Sequence, residues 1–347
     1  MDRKKLDKLR ARFADAAPGE VHHPEFKRVA ELIFAGTDRR PKPYEGVSTF
    51  LGAAYRPDAA AQNFAGLDVA LVGVPMDLGV TNRAGARLGP RAVRGMERIG
   101  PLHHVHSSVP LAEVRVADVG DVPFRTRYSL LESIEDIENY YRKIAAAGVV
   151  PLSVGGDHSI SCPILKALGA GQPVGMVHID AHCDTAGPFE GSKFHHGGPF
   201  REAVLAGVLD PDRTIQIGIR GGAEYLWEFS YASGMTVLHA EEFQRLGVPK
   251  TVKKIRDVVG RGPVYVSFDI DSLDPAFAPG TGTPEAGGLS TREAMELVRG
   301  CAGLDIVGGD VVEVAPQYDA TTNTAQAAAQ MLFEILALVA LRRGKRK

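Results

Sequence analysis

The sequence predicts an α/β domain with a mainly parallel sheet covered by helices on both faces, preceded by an N-terminal extension. Two observations carry this. From Leu67 onward, short β-branched runs alternate with longer helical patterns almost to the end of the chain. Strand, helix, strand in that order requires crossovers that pack helices onto the sheet. The same region also has no fixed-period repeat, low-complexity tract or Pro/Ser-rich linker, so one domain is the simplest organisation.

In chain order, residues 1–48 form the extension and 49–347 the domain. In the extension Leu6, Leu9 and Phe13 recur at helical spacing among Lys and Arg, ahead of a polar stretch from Asp38 to Pro43. Two readings fit: a short amphipathic helix lying on the core or on another subunit, or a solvated, frayed arm. The strand candidates that follow are Val69–Val74, Val114–Val116, Val149–Val154, Val174–Ile179, Thr214–Ile219, Thr236–Leu238, Val264–Phe268 and Ile306–Val314. The clearest helix has Leu130, Ile134, Ile137, Tyr141 and Ile144 at steps of four and three. The apolar stretch Ala325 to Leu341 carries Gln326, Gln330 and Glu334 and runs into Arg342 and Arg343, the wrong pattern for a bilayer span. The basic tail from Arg342 to Lys347 is expected to be solvated.

Composition narrows the function. The 347 residues carry 40 Lys and Arg against 42 Asp and Glu, a formal net charge of −2. No strong field is available for polyanions, so neither nucleic acid nor a membrane is an expected partner. At 44% hydrophobic and 24% charged, the chain has a globular composition. Its charged start lacks an apolar signal region, and a soluble, cytoplasmic protein is expected. Cys162, Cys183 and Cys301 form no CxxC pair, which argues against a disulfide framework or a thiolate zinc site.

In sheets of this class, functional groups sit on loops leaving the carboxyl ends of strands. The run ending at Val154 continues Gly155-Gly156-Asp157-His158-Ser159, two glycines allowing a sharp turn that presents His158. The next strand leaves as His178-Ile179-Asp180-Ala181-His182-Cys183-Asp184. In extended chain alternate side chains share a face, so Asp180, His182 and Asp184 aim at one point. His178 has the same parity but lies deeper, where a supporting histidine is expected rather than a ligand. A third exit, Ser267-Phe268-Asp269-Ile270-Asp271, repeats the device before a turn at Asp274-Pro275. Asp274 is read as a turn former.

Neither Lys nor Arg follows the second run until Lys193, and unpaired buried carboxylates are costly. Two imidazoles and four carboxylates are too many ligands for one ion. Mixed nitrogen and oxygen ligation without thiolate suits Mn²⁺ or a related divalent metal, and bridging carboxylates would hold two ions roughly 3.5–4 Å apart. Such a pair generates hydroxide near neutral pH from a shared water.

At these residues the sequence resembles the ureohydrolase family of arginases and agmatinases. The likeness continues through Ala278-Pro279-Gly280-Thr281-Gly282-Thr283-Pro284 and Gly287-Gly288-Leu289, and includes Gly85-Ala86-Arg87-Leu88-Gly89-Pro90 near the start. It implies a three-layer α/β/α fold around a mainly parallel eight-stranded sheet and a centre of two divalent ions, Mn²⁺ with Ni²⁺ as the alternative. His158, Asp180, His182, Asp184, Asp269 and Asp271 match the ligand positions. The implied reaction is hydrolysis of a guanidino group to urea and an amine, with trimers or hexamers as the common assembly.

Two further residues match family roles. Glu313, in Asp310-Val311-Val312-Glu313, resembles the acid that grips the guanidinium. His196, in His195-His196-Gly197, resembles the proton shuttle, and a histidine titrates in the range needed to protonate a leaving amine. His195 is its rival. Gly198 stands where many agmatinase-like members carry Thr.

Thr185-Ala186-Gly187-Pro188-Phe189-Glu190 lacks the Asn-rich arginase pattern, and agmatine is the leading substrate, its far amine meeting Glu190 or another acid. Guanidinobutyrate, guanidinopropionate, guanidine and a substituted biguanide such as metformin are the alternatives. A non-catalytic partner subunit of a mixed oligomer is the reading from a different class. A two-metal phosphoesterase is disfavoured, since no Gly-rich loop with Lys is present to cradle phosphate.

Overall fold

The computed structural model describes residues 2–16, 20–34, 44–97 and 99–344. The polar stretch from Asp38 to Pro43 falls outside them, as does the end of the basic tail. The chain divides into two compact units, residues 1–45 and 46–347.

The first unit holds helices α1 (Arg3–Phe13) and α2 (Pro24–Phe34). Asp2 caps α1, its carboxylate accepting the Lys4 backbone N–H at 3.0 Å, and Arg10 and Arg12 sit at the helix's negative C-terminal end, which their charge stabilises. Of the two readings for this segment, residues Leu6, Leu9 and Phe13 do lie on a helix, with none of its residues buried, and α2 is an addition to the sequence reading.

The second unit is built on a nine-stranded sheet: β1 (Ala54–Tyr55), β2 (Val69–Val74), β3 (Val116–Asp121), β4 (Val150–Gly155), β5 (Val174–Ile179), β6 (Leu209–Ile219), β7 (Thr236–His239), β8 (Pro263–Asp269) and β9 (Asp305–Val312). Every neighbouring pair is parallel, in the order β1-β3-β2-β4-β9-β8-β5-β6-β7. The helices are α3 (Gly89–Arg94), α4 (Pro110–Glu113), α5 (Leu130–Ala146), α6 (Ser161–Leu168), α7 (Pro199–Leu205), α8 (Glu228–Ser233), α9 (Ala240–Val259), α10 (Thr291–Gly300) and α11 (Asn323–Gly344).

Strand alternation produces the layers. Val69 and Leu71 of β2 join the core that contains Val93 of α3, Ile255 of α9, Leu297 of α10 and Leu332 of α11. Ala70, Val72 and Val74 join the opposite core with Ile137 and Tyr141 of α5, Ile164 of α6 and Phe200 of α7. This is the expected three-layer α/β/α arrangement, with one strand more than expected. The ninth, β1, has only two residues, paired Ala54 to Ala117 and Tyr55 to Asp118, too few to leave a periodic trace.

Three strand boundaries shift for identifiable reasons. β3 runs to Asp121 because buried Asp118 is neutralised by Arg94 at 2.8 Å and bonded by the Phe50 and Gly120 N–H groups, so a charge sits inside a strand. β6 begins at Leu209, before the apolar run, through polar Asp210, Asp212 and Arg213. β9 stops at Val312, since Glu313 has φ +64° and turns the chain out of the sheet.

Helix α11 is long and apolar enough to cross a membrane, but 83% of that stretch is buried inside the fold. Its one carboxylate, Glu334, is 1% exposed and is met by Arg299 at 2.7 Å and His103 at 2.6 Å. The start of the basic tail is not free in solvent: Arg342 pairs with Asp305 at 2.8 Å, and Arg343 donates to the carbonyls of Asp68 and Gly148.

Candidate metal centre

The four central strands β4, β9, β8 and β5 lie side by side, and their carboxyl ends carry all the candidate residues. After β4 the chain turns at Gly156, where a side chain would collide with the Met76 carbonyl at 1.6 Å. Asp157 then caps the following turn through Ser159 N–H and holds the Gly79 N–H at 2.8 Å. His158 emerges with no exposed surface.

His158 Nδ1 lies 2.8 Å from Asp184, 3.2 Å from Asp180 and 3.2 Å from Asp269 carboxylate oxygens. His182 Nδ1 lies 3.2 Å from Asp271 and 3.5 Å from Asp180. The six residues thus form two overlapping sets, His158, Asp180, Asp184 and Asp269, and Asp180, His182 and Asp271, with Asp180 common to both. Simple alternation does not produce this arrangement. β5 ends at Ile179, the His182 N–H folds back onto Asp180 Oδ1 at 2.6 Å, and Asp184 adopts φ +51°. A left-handed conformation at a non-glycine residue is strained and is found where a site demands it.

His178 lies against the cluster, close enough to His158 and Asp180 to form a third grouping with them. Its Nε2 meets Asp180 at 2.7 Å and its Nδ1 meets Gln216 at 3.1 Å. Asp274 is the expected turn former, accepting the N–H groups of Ala276, Gly287 and Gly288.

The donor set fits a pair of divalent cations. Nδ1 of His158 is buried among three carboxylate oxygens yet makes no hydrogen bond, because none lies along an N–H direction. Burial disfavours a charged imidazole, but the surrounding carboxylates outweigh it and hold His158 and His182 well above the ordinary histidine range. Burial, with Asp271 and Asp180 nearby, holds Asp269 well above the ordinary carboxylate range. A cluster that retains protons in this way is short of positive charge, and hard cations with oxygen and imidazole ligands meet that need.

Beside the cluster, Glu313 is 1% exposed. Its Oε1 accepts the His158 N–H at 2.9 Å and contacts His196 Nδ1 at 2.9 Å, while its Oε2 is buried without a partner. His196 Nε2 meets Thr81 Oγ1 at 2.6 Å. Burial lowers the His196 pKa, but Glu313 first, then Asp184 and Asp157, push it up to about 9.

A cavity of about 220 Å³ opens over these groups, bounded among others by His182, Asp184, His196, Trp227, Glu285 and Glu313. His195 is not among its lining residues; its Nε2 meets the Gly187 carbonyl at 2.8 Å. A side chain at Gly198 would stand 3.0 Å from the Ala186 carbonyl and 3.1 Å from His195 Nε2, so the packed His195 ring accounts for glycine there. Glu190 lies exposed outside the cavity lining, so of the two forms of that expectation the cavity offers the other acid, Glu285.

Sequence reasoning missed Thr81, Arg220, Trp227 and Glu285. Thr81 lies in a loop and Trp227 ends a four-residue 3-10 helix, Glu224–Trp227, neither of which leaves a periodic pattern. Glu285 follows the Gly282-Thr283-Pro284 run, which was the available signal. Arg220 gives all its donor groups to backbone carbonyls, among them Asp271 at 2.7 Å and Glu285 at 2.8 Å, and so ties two cavity walls together.

A parallel sheet whose carboxyl edge carries a donor set for two ions and a buried carboxylate with one unpartnered oxygen defines an α/β metallohydrolase. A sequence model of the arginase family matches residues 67–338, and the chain belongs to that family. It is 51% identical to a guanidinopropionase of Pseudomonas aeruginosa over 86% of this chain and 93% of that one. It is 48% identical to a mitochondrial agmatinase of Gallus gallus over 79% and 82%. Its fold matches proclavaminate amidino hydrolase from Streptomyces clavuligerus with a TM-score of 0.80 at 38% identity, covering 87% and 99%. It is a ureohydrolase acting on a guanidino compound.

Proposed function

We propose that the chain hydrolyses agmatine to putrescine and urea at a centre of two Mn²⁺ ions, with Ni²⁺ as the alternative metal. The observation that carries the reading is the unpartnered, buried Oε2 of Glu313 beside the six-residue cluster. A guanidinium presents paired N–H donors to a carboxylate, and such charge-assisted bonds are strong where water is excluded. His158, Asp180, Asp184 and Asp269 would hold one ion, and Asp180, His182 and Asp271 the other. When bound, the metal pair supplies hydroxide at neutral pH and stabilises negative charge on the substrate.

The side chains perform the remaining work. Glu313 orients the guanidinium so that its carbon faces the cluster. His196, fixed between Glu313 and Thr81, delivers a proton to the departing amine, without which the carbon–nitrogen bond does not break at neutral pH. Glu285 lines the cavity with its carboxylate 3.9 Å from His182 Nε2, while Arg220 is fully engaged by carbonyls, an environment that favours a cationic substituent over a carboxylate.

The identity to a guanidinopropionase favours a second reading, a guanidino acid as substrate. Urea release from agmatine, guanidinobutyrate, guanidinopropionate, guanidine and metformin, after loading with Mn²⁺ or Ni²⁺, tests both. Agmatine is expected to give the highest kcat/KM; preference for either acid would replace it.

A further inference from the structure

One buried carboxylate at these strand ends belongs to neither ion set. Asp310 of β9 has no exposed surface. Its Oδ1 accepts Ser267 Oγ–H at 2.7 Å, and its Oδ2 accepts Tyr265 O–H at 2.6 Å and Ser161 Oγ–H at 2.5 Å. Ser267 also meets His158 Nε2 at 2.8 Å. Parallel pairing sets the first link, since Ser267 and Asp310 are register partners across β8 and β9.

The direction of these bonds follows from proton counting. A serine hydroxyl has one proton to give, and a carboxylate oxygen accepts it. Ser267 therefore donates to Asp310, leaving its oxygen only the acceptor role toward His158. Nε2 of His158 must then carry a proton, so the nitrogen left to ligate an ion is Nδ1, which faces Asp180, Asp184 and Asp269. The opposite tautomer would aim an N–H at the ion and leave Nε2 facing an oxygen lone pair.

We propose that Asp310 is a positioning residue that acts through Ser267 to hold His158 in its metal-binding tautomer and ring orientation. This rests on the metal-centre reading above and adds a residue to it. Tyr265 and Ser161 bond the same carboxylate on its other oxygen and do not reach His158, so they separate this role from simple satisfaction of a buried charge.

The test uses the full chain stripped by chelator and titrated with Mn²⁺, reading stoichiometry and Kd by calorimetry and the metal-free fold by circular dichroism and melting. Ser267→Ala is expected to weaken binding about 10- to 100-fold, the usual cost of losing such a support, and Asp310→Asn to weaken it in the same sense. The double variant should bind about as poorly as Ser267→Ala alone, because the two act in series. Tyr265→Phe and Ser161→Ala should lower the melting temperature while leaving Kd within about threefold. Unchanged Kd in Ser267→Ala, additive losses in the double variant, or equal losses in all four single variants would overturn the proposal. Absence of Mn²⁺ and Ni²⁺ binding by the unaltered chain would instead overturn the metal-centre reading, and this proposal with it.

Discussion

Glu313 and His196 meet at 2.9 Å through Oε1 and Nδ1, while the second Glu313 oxygen is buried without a partner. One carboxylate thereby fixes the imidazole and keeps half of its acceptor capacity for another cation. The backbone strain at Glu313, with φ +64°, maintains this geometry at the point where the strand ends.

Glu313→Gln keeps the shape and removes the charge. Its kcat/KM for urea release should fall roughly 100-fold or more, the scale seen when a preorganised electrostatic contact is removed. Bound metal, measured by elemental analysis, should stay at the unaltered level. Loss of metal in this variant would place Glu313 among the ligands.

His196→Ala should lower turnover more than His195→Ala, because only the former lines the cavity. The acid form of His196 is the active one, so the rate should decline as pH rises through its pKa. Without ions that pKa is pushed up to about 9, and repulsion from bound cations would bring it lower. The alkaline decline in kcat/KM should be lost in His196→Asn, and its persistence there would assign the proton to another group.

Asp180→Ala and Asp271→Ala should each lose metal and activity while the fold survives, since the apolar strands do not need the carboxylates. Melting in chelator should change little or rise for Asp271→Ala, whose ionised carboxylate is disfavoured by burial and by Asp180, and should fall for Asp180→Ala, whose carboxylate, despite burial, is held well below the ordinary range by His178, His158 and His182. The stabilisation that added Mn²⁺ gives the unaltered protein should disappear. Full turnover in either variant would contradict the ligand set.

Away from the centre, Glu334 sets an acid limit on stability. Burial raises its pKa, but hydrogen bonds from His103 and Arg299 dominate and bring it to about 2, from 4.5. A depressed carboxylate pKa contributes stability that is fully present above about pH 4.5 and lost as pH falls toward 2. The gap in melting temperature between the unaltered protein and Glu334→Gln should narrow over that window, by on the order of 2 kcal/mol of unfolding free energy after allowance for screening. A constant gap would show that ionisation of Glu334 is not linked to folding.

Much of the fold was legible in the sequence because β2 is an uninterrupted apolar run and β5 is one broken only by His178, and their ends match the structure residue for residue. β1, with two residues, was not legible, and β3 was legible only at its start, Val116: one is too short for a period and the rest of the other contains a buried Asp118 that depends on Arg94 from a distant helix. The clustering of His and Asp at three strand exits was equally readable, because ligand-bearing residues without nearby cations have few stable alternatives to an ion.

The sequence by itself determined the alternation of strands and helices, the chemistry of the six clustered side chains and their places at strand ends. Tertiary structure decided that β8 and β9 lie between β4 and β5, that Asp180 serves both ligand sets, that His196 rather than His195 faces the cavity, and that Asp310 reaches His158 through Ser267. Local pattern records which face a residue takes, because side-chain direction repeats with a fixed period along the backbone. Which distant strand becomes its neighbour depends on crossovers packing two cores at once, and no short-range period encodes that.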